Sequence, residues 1–215
     1  MSFVPQLQIL PAPQRLLWDE LAALPEGFIL YGGTAIALQL GHRESIDFDF
    51  FAFKPFETLA LLHEVNFLVG AQIVQQAKNT LTCRVNRDGI VYVSFFCVPR
   101  LKQILPPLRG DGGVPIASLL DLAGMKAAVV QQRPEAKDYI DLDAIMQSGI
   151  DLPTALAAAQ AIYGDSFNPQ ITLKALSYFE EGDLGLVSLP IKQRILAAVD
   201  RVDLMALPRL RAFTP

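Results

Sequence analysis

A chain of 215 residues with 52% hydrophobic content and a formal net charge of −4 is long enough for one sizeable core or for a domain with a helical appendix. It is too acidic to hold DNA through a broadly basic surface. It has no apolar run of about eighteen residues, and Met1-Ser2-Phe3-Val4-Pro5-Gln6 lacks the regions of a signal peptide, so a cytoplasmic protein with no membrane partner is expected.

Sulfur and imidazole chemistry are also poorly supplied. Cys83 and Cys97 lack metal-ligand spacing and read as buried free thiols on strands. His42 and His63 are too few for a zinc cage and have no nucleophile pattern beside them, so a hydrolase triad is unsupported.

From the N-terminus, a short amphipathic helix is predicted over residues 14–23, followed by a strand over 28–31 and a helix over 34–40 that ends at Gly41. Gly32 and Gly33 then stand at a strand-to-helix turn, where backbone can approach a ligand closely and unpaired amides at a helix start favour an anion. Ser45-Ile46-Asp47-Phe48-Asp49-Phe50 alternates with a period of two, putting Asp47 and Asp49 on one strand face and the apolar residues on the other. Two carboxylates so placed repel each other, and a divalent cation removes the repulsion. Hard oxygen ligands of this kind suit Mg²⁺ carrying a substrate phosphate. Each half also has a plainer reading, a common turn and a solvated acidic edge. Arg43, between helix and acidic strand, reads either as a bidentate phosphate contact or as a surface arginine.

A helix over 55–68 follows, then strands over 81–86 and 90–98 joined by Arg87-Asp88-Gly89, where Asp-Gly suits a tight hairpin. Residues 99–115 are rich in proline and glycine and read as a connecting loop, so a boundary is expected there, with an α/β region over 1–113 and a helical region over 114–215. Helices are predicted over 118–132, opened by a Ser118–Asp121 capping box, and over 134–147, 153–163, 169–180 and 190–202, each opened by proline.

Lys126 is the single charge in a neutral helical stretch, so it either snorkels to water or faces a partner such as phosphate. Lys137, Asp138 and Asp141 fall within an arc of about 100° on a helix and read as one polar patch or as a plain i, i+4 surface pair. Arg84, Arg87, Arg100, Lys102 and Arg109 cluster on the hairpin and the loop after it, which favours an RNA partner against the acidic total.

Gly32-Gly33-Thr34, then Asp47-Phe48-Asp49, then Lys137-Asp138-Tyr139-Ile140-Asp141 resembles the AbiEii/AbiGii toxin family of nucleotidyltransferases, within the DNA polymerase β-like superfamily. The resemblance covers residues 28–150, and Leu40-Gly41-His42-Arg43 is similar too. It implies an α+β protein, a minimal nucleotidyltransferase fold with a small mixed sheet and flanking helices, followed by a helical C-terminal part. It further implies a nucleoside triphosphate substrate with Mg²⁺, transfer of a nucleotide to an acceptor such as tRNA, and an antitoxin partner.

Carried onto this chain, Gly32, Gly33 and Thr34 cradle phosphates, Asp47 and Asp49 ligate the metal, Lys137 binds the triphosphate, and Asp138 and Asp141 shape the nucleotide pocket. The sequence departs from the superfamily at Ser94, where a third carboxylate is usual. Serine is neither a comparable base nor a charged ligand. A non-catalytic nucleotide-binding module, or transfer to a small-molecule or protein acceptor, therefore stands as the alternative.

Overall fold

The computed structural model describes residues 2–110 and 113–215, so Asp111 and Gly112 of the expected connecting loop lie outside the described residues. The chain divides into two compact units, residues 1–101 with 107–117 and residues 102–106 with 118–215.

The first unit is built on a mixed sheet of eight strands: β1 Ser2–Phe3, β2 Phe28–Tyr31, β3 Asp47–Ala52, β4 Gln72–Ala77, β5 Thr80–Asn86, β6 Ile90–Cys97, β7 Leu108–Gly110 and β8 Pro115–Ile116. Their spatial order is β1-β7-β8-β2-β3-β6-β5-β4. The centre of the sheet carries the acidic strand: β3 runs antiparallel to β2 and parallel to β6. Three helices belong to this unit, α1 Ala12–Trp18, α2 Gly32–Leu40 and α3 Thr58–Glu64.

Alternation along β3 does what a period of two requires. Phe48, Phe50 and Ala52 are buried, Asp47 is exposed, and Asp49 and Phe51 are half-buried. The same rule holds for β5 and β6, which bury Leu81, Cys83, Val85, Val91, Val93 and Phe95 on the core side. Trp18 of α1 meets Phe48 with ring centroids 6.3 Å apart, and Phe50 stacks on Phe95 at 5.6 Å.

Several sequence expectations are revised here. The stretch read as connecting loop contributes β7 and β8, and β1 and β4 were not anticipated. All six residues of β4 are exposed, so no alternation marks it, while β1, β7 and β8 are too short to show one. In the turn over residues 87–89 it is Asp88 that takes positive φ, at 56°. Gly89 is needed for close approach instead: a Cβ there would sit 2.5 Å from Pro13 Cγ. Cys83 is buried as expected, but Cys97 is only half-buried.

The second unit is helical: α4 Leu119–Val129, α5 Ala136–Gln147, α6 Leu152–Tyr163, α7 Pro169–Leu176 and α8 Leu189–Val199. Ser118 caps α4 by accepting from the Asp121 amide at 3.1 Å, and the Asp121 carboxylate takes the amides of Ile104 and Leu105 at 2.7 and 3.1 Å. Helices α4 and α6 cross closely because Gly124 meets the Ala-rich face of α6. A Cβ there would lie 2.8 Å from the Ala158 carbonyl carbon and the Ala159 nitrogen. Among the described residues no helix is long and apolar enough to cross a membrane.

Candidate active site

In the first unit the end of β2 runs directly into α2. Tyr31 is the extended residue before the helix, and no side chain caps the helix start, which leaves the first amides to other acceptors. Gly32 has φ +74°, a conformation that disfavours any residue with a Cβ. A Cβ at Gly32 would lie 3.0 Å from Asp49 Oδ2. The glycine turn and the acidic strand are therefore in contact, since Tyr31 is the residue paired with Asp49 across β2 and β3.

Thr34 is buried. Its hydroxyl donates to the Asp47 carbonyl and, with its one proton so used, accepts from Ser45 Oγ at 2.7 Å. This ties the first turn of α2 to the first residue of β3 and sets where Asp47 begins. Arg43, in the intervening loop, donates to the Glu44 carbonyl at 2.9 Å.

On the other side of β3, Asp49 pairs in register with Ser94 and Asp47 with Tyr92. The position beside Asp49 where a third carboxylate was sought is thus serine, and Ser94 accepts a 3.3 Å hydrogen bond from Thr82. Among the described residues no group of three or more His, Cys, Asp or Glu side chains gathers as a metal cage. Asp47 and Asp49 are the oxygen donors that could hold a cation such as Mg²⁺: both stand on one strand face, and the second lies against Gly32.

In the second unit, the helical residues singled out from sequence do not form one patch. Lys137 points outward, 53% exposed, and pairs with Glu135 at 2.8 Å. Asp138 and Asp141 have no exposed surface. Both bond the Lys126 ammonium, at 2.5 and 2.7 Å, and Arg133 Nε donates to Asp138 at 2.9 Å. Lys126 therefore faces partners and does not snorkel. Such a buried network satisfies groups that would be costly if left alone, and it fixes α4 against α5. A second ion pair went unnoticed in the sequence: buried Asp143 receives Arg194 of α8 in bidentate fashion, at 2.8 and 2.6 Å. With the partners 51 positions apart, no local spacing announces it.

A mixed sheet with an uncapped glycine turn laid against an Asp-x-Asp strand is the arrangement the resemblance implies for a nucleotidyltransferase. The family model described as nucleotidyl transferase AbiEii toxin, type IV TA system, matches residues 15–202, and the chain belongs to that family of toxin nucleotidyltransferases. An uncharacterized protein of Aquifex aeolicus (strain VF5) is 36% identical over 158 residues, 72% of this chain and 74% of the relative. Among solved structures, MenT4, a nucleotidyltransferase toxin of Mycobacterium tuberculosis H37Rv, shares the fold at a TM-score of 0.56 and 17% identity, over 90% of this chain and 86% of that one.

Proposed function

We propose that the protein moves a nucleoside monophosphate from a nucleoside triphosphate onto the hydroxyl of an RNA, a tRNA end being the acceptor the resemblance implies, and that a cognate antitoxin counters it. The observation that carries this reading is the contact of the Gly32 turn with Asp49, which joins a phosphate-accepting backbone to a metal-binding carboxylate.

Asp47 and Asp49 would hold Mg²⁺, which when bound supplies charge neutralisation at the triphosphate oxygens. With two carboxylates to offer among the described residues, the site suits a cation whose remaining ligands are phosphate oxygens and water. The amides at the start of α2 bind the β and γ phosphates. The acceptor oxygen forms a new bond to the α phosphorus as the bond to the bridging oxygen breaks, and pyrophosphate leaves with its charge on that oxygen. Ser94 is no base, so the hydroxyl proton passes to solvent water.

For Lys137, exposed on the helical unit, a triphosphate contact is what the family resemblance implies. Lys137→Ala is expected to weaken binding of triphosphate more than of nucleoside, and equal weakening would argue against the assignment. The direct test of the activity is incubation with each α-³²P nucleoside triphosphate, Mg²⁺ and total RNA. Label is expected on RNA with wild-type protein and not with Asp49→Asn. Label on protein or on a small molecule would move the acceptor to another class.

A further inference from the structure

The two flanks of the acidic pair differ in chemistry. Toward β2 lies the glycine turn, while toward β6 and β5 a row of side chains crosses the open face. Asp47 is in register with Tyr92, Tyr92 with Arg84, and Arg84 with Gln72. Tyr92 is 39% exposed, although it lies on a strand whose neighbours Val91 and Val93 are buried. The Arg84 guanidinium carbon lies 5.8 Å from the Tyr92 ring centroid, near the outer limit of a cation–π contact, so it borders the ring. Arg84 Nη1 donates to Gln72 Oε1 at 3.1 Å, which steadies the side chain, and its Nε is buried with no hydrogen-bond partner. That enclosed N–H is out of reach of an incoming group, so a phosphate would accept from the terminal Nη atoms.

We propose that this row is the acceptor subsite and that it takes the single-stranded end of a nucleic acid, a base stacking on Tyr92 and a backbone phosphate accepting from Arg84. The inference rests on the reading of Asp47, Asp49 and the Gly32 turn as the nucleotide site. In-line displacement puts the leaving pyrophosphate and the incoming oxygen on opposite sides of the α phosphorus. With the leaving phosphates drawn to the β2 side, the attacking hydroxyl arrives from the β6 side, where Tyr92 stands beside Asp47. Adjacent strands lie about 4.8 Å apart, so the strands that carry Tyr92 and Arg84 are about 5 and 10 Å from the acidic strand, a span on the scale of a terminal nucleotide and the one before it.

A ring face bordered by arginine matches a base followed by a phosphate: an unpaired strand presents both, whereas a duplex exposes the phosphate but keeps the base face stacked inside. With a chain net charge of −4, the attraction is local to Arg84 and gives a protein that selects strand ends over duplex.

The test uses full-length protein, a fluorescein-labelled single-stranded RNA oligonucleotide, the same sequence as duplex, and Mg²⁺-dependent nucleoside triphosphate binding measured in parallel. Tyr92→Ala and Arg84→Ala are expected to weaken single-strand binding by about tenfold or more, while Tyr92→Phe, which keeps the ring, stays within about twofold of wild type. Arg84→Ala also flattens the salt dependence by about 0.7 of a logarithmic unit per decade. Triphosphate binding stays near wild type in all three variants. Unchanged single-strand affinity in Tyr92→Ala and Arg84→Ala overturns the proposal, as does duplex bound as tightly as single strand. Wild-type protein that binds triphosphate but no RNA overturns the acceptor assignment and spares the nucleotide site. Failure to bind triphosphate overturns both.

Discussion

The acidic pair on β3 and the acidic pair on α5 use one residue type for opposite ends. Asp47 and Asp49 stand two apart on a strand face that water reaches, the second against a glycine with positive φ. Asp138 and Asp141 stand three apart on a helix face with no exposure and share the ammonium of Lys126. A carboxylate pair can serve a ligand only where the ligand arrives. Once enclosed, it has to be neutralised from within, and its effect is to specify how two helices pack. The Lys-Asp-x-x-Asp segment therefore shows outwardly its lysine, and inwardly its aspartates.

The largest expected effect separates the pairs by function. Asp47→Asn or Asp49→Asn is expected to lower nucleotidyl transfer by about a thousandfold or more, since the cation's charge stabilisation is worth several kcal/mol. The melting temperature should hold steady, because the replaced groups are not core. A fall in both together would mean that the strand pair is structural. The mirror experiment is Lys126→Met, which leaves buried carboxylates short of a cation and is expected to cost about 3–5 kcal/mol in urea unfolding. A loss below about 1 kcal/mol would put the α5 pair in the same class as exposed charges.

Gly32→Ala sharpens the contrast by linking backbone and site. Positive φ alone costs about 1–2 kcal/mol for a residue with a Cβ, and the new methyl would press on Asp49 Oδ2. Stability and transfer are both expected to fall, measured by thermal melts and label incorporation. A fully active Gly32→Ala would mean the turn does not approach phosphate.

Much of the site was legible in the sequence because it is local. The period of two at residues 45–50 and the glycine pair after an apolar strand are encoded within about twenty residues, and β2, α2 and β3 formed within a few residues of expectation. What was not legible depends on contacts across the chain. Lys126 meets Asp138 twelve positions later, so helical projection put Asp138 on the wrong side of the helix relative to solvent. The strand β4 carries no burial pattern because all six of its residues are exposed. The arginines read together as an RNA-facing group divide once the fold is known. Arg87 is held by Glu20 at 2.5 and 2.8 Å, whereas Arg84 has no carboxylate partner among the described residues and borders Tyr92 and Gln72.

That Arg87–Glu20 pair sets the small end of the scale. The hydrogen bond from Arg87 holds the Glu20 carboxyl below its ordinary value of 4.5. Its contribution is therefore fully present above about pH 4.5 and is lost as pH falls through the lowered value. Glu20→Gln is expected to cost about 0.2–1 kcal/mol at neutral pH, the range of a partly exposed pair. The gap to wild type should close in acid, and thermal melts across pH check both statements. A gap that widened in acid would reverse the sign of the linkage.

The most direct measurement is equilibrium binding of a nucleoside triphosphate with and without Mg²⁺, on wild type, Asp47→Asn and Asp49→Asn. Mg²⁺ is expected to tighten binding to wild type and to have little effect on either variant, with all three equally folded. Equal Mg²⁺ enhancement in the variants would contradict the assignment of this strand as the metal-holding edge.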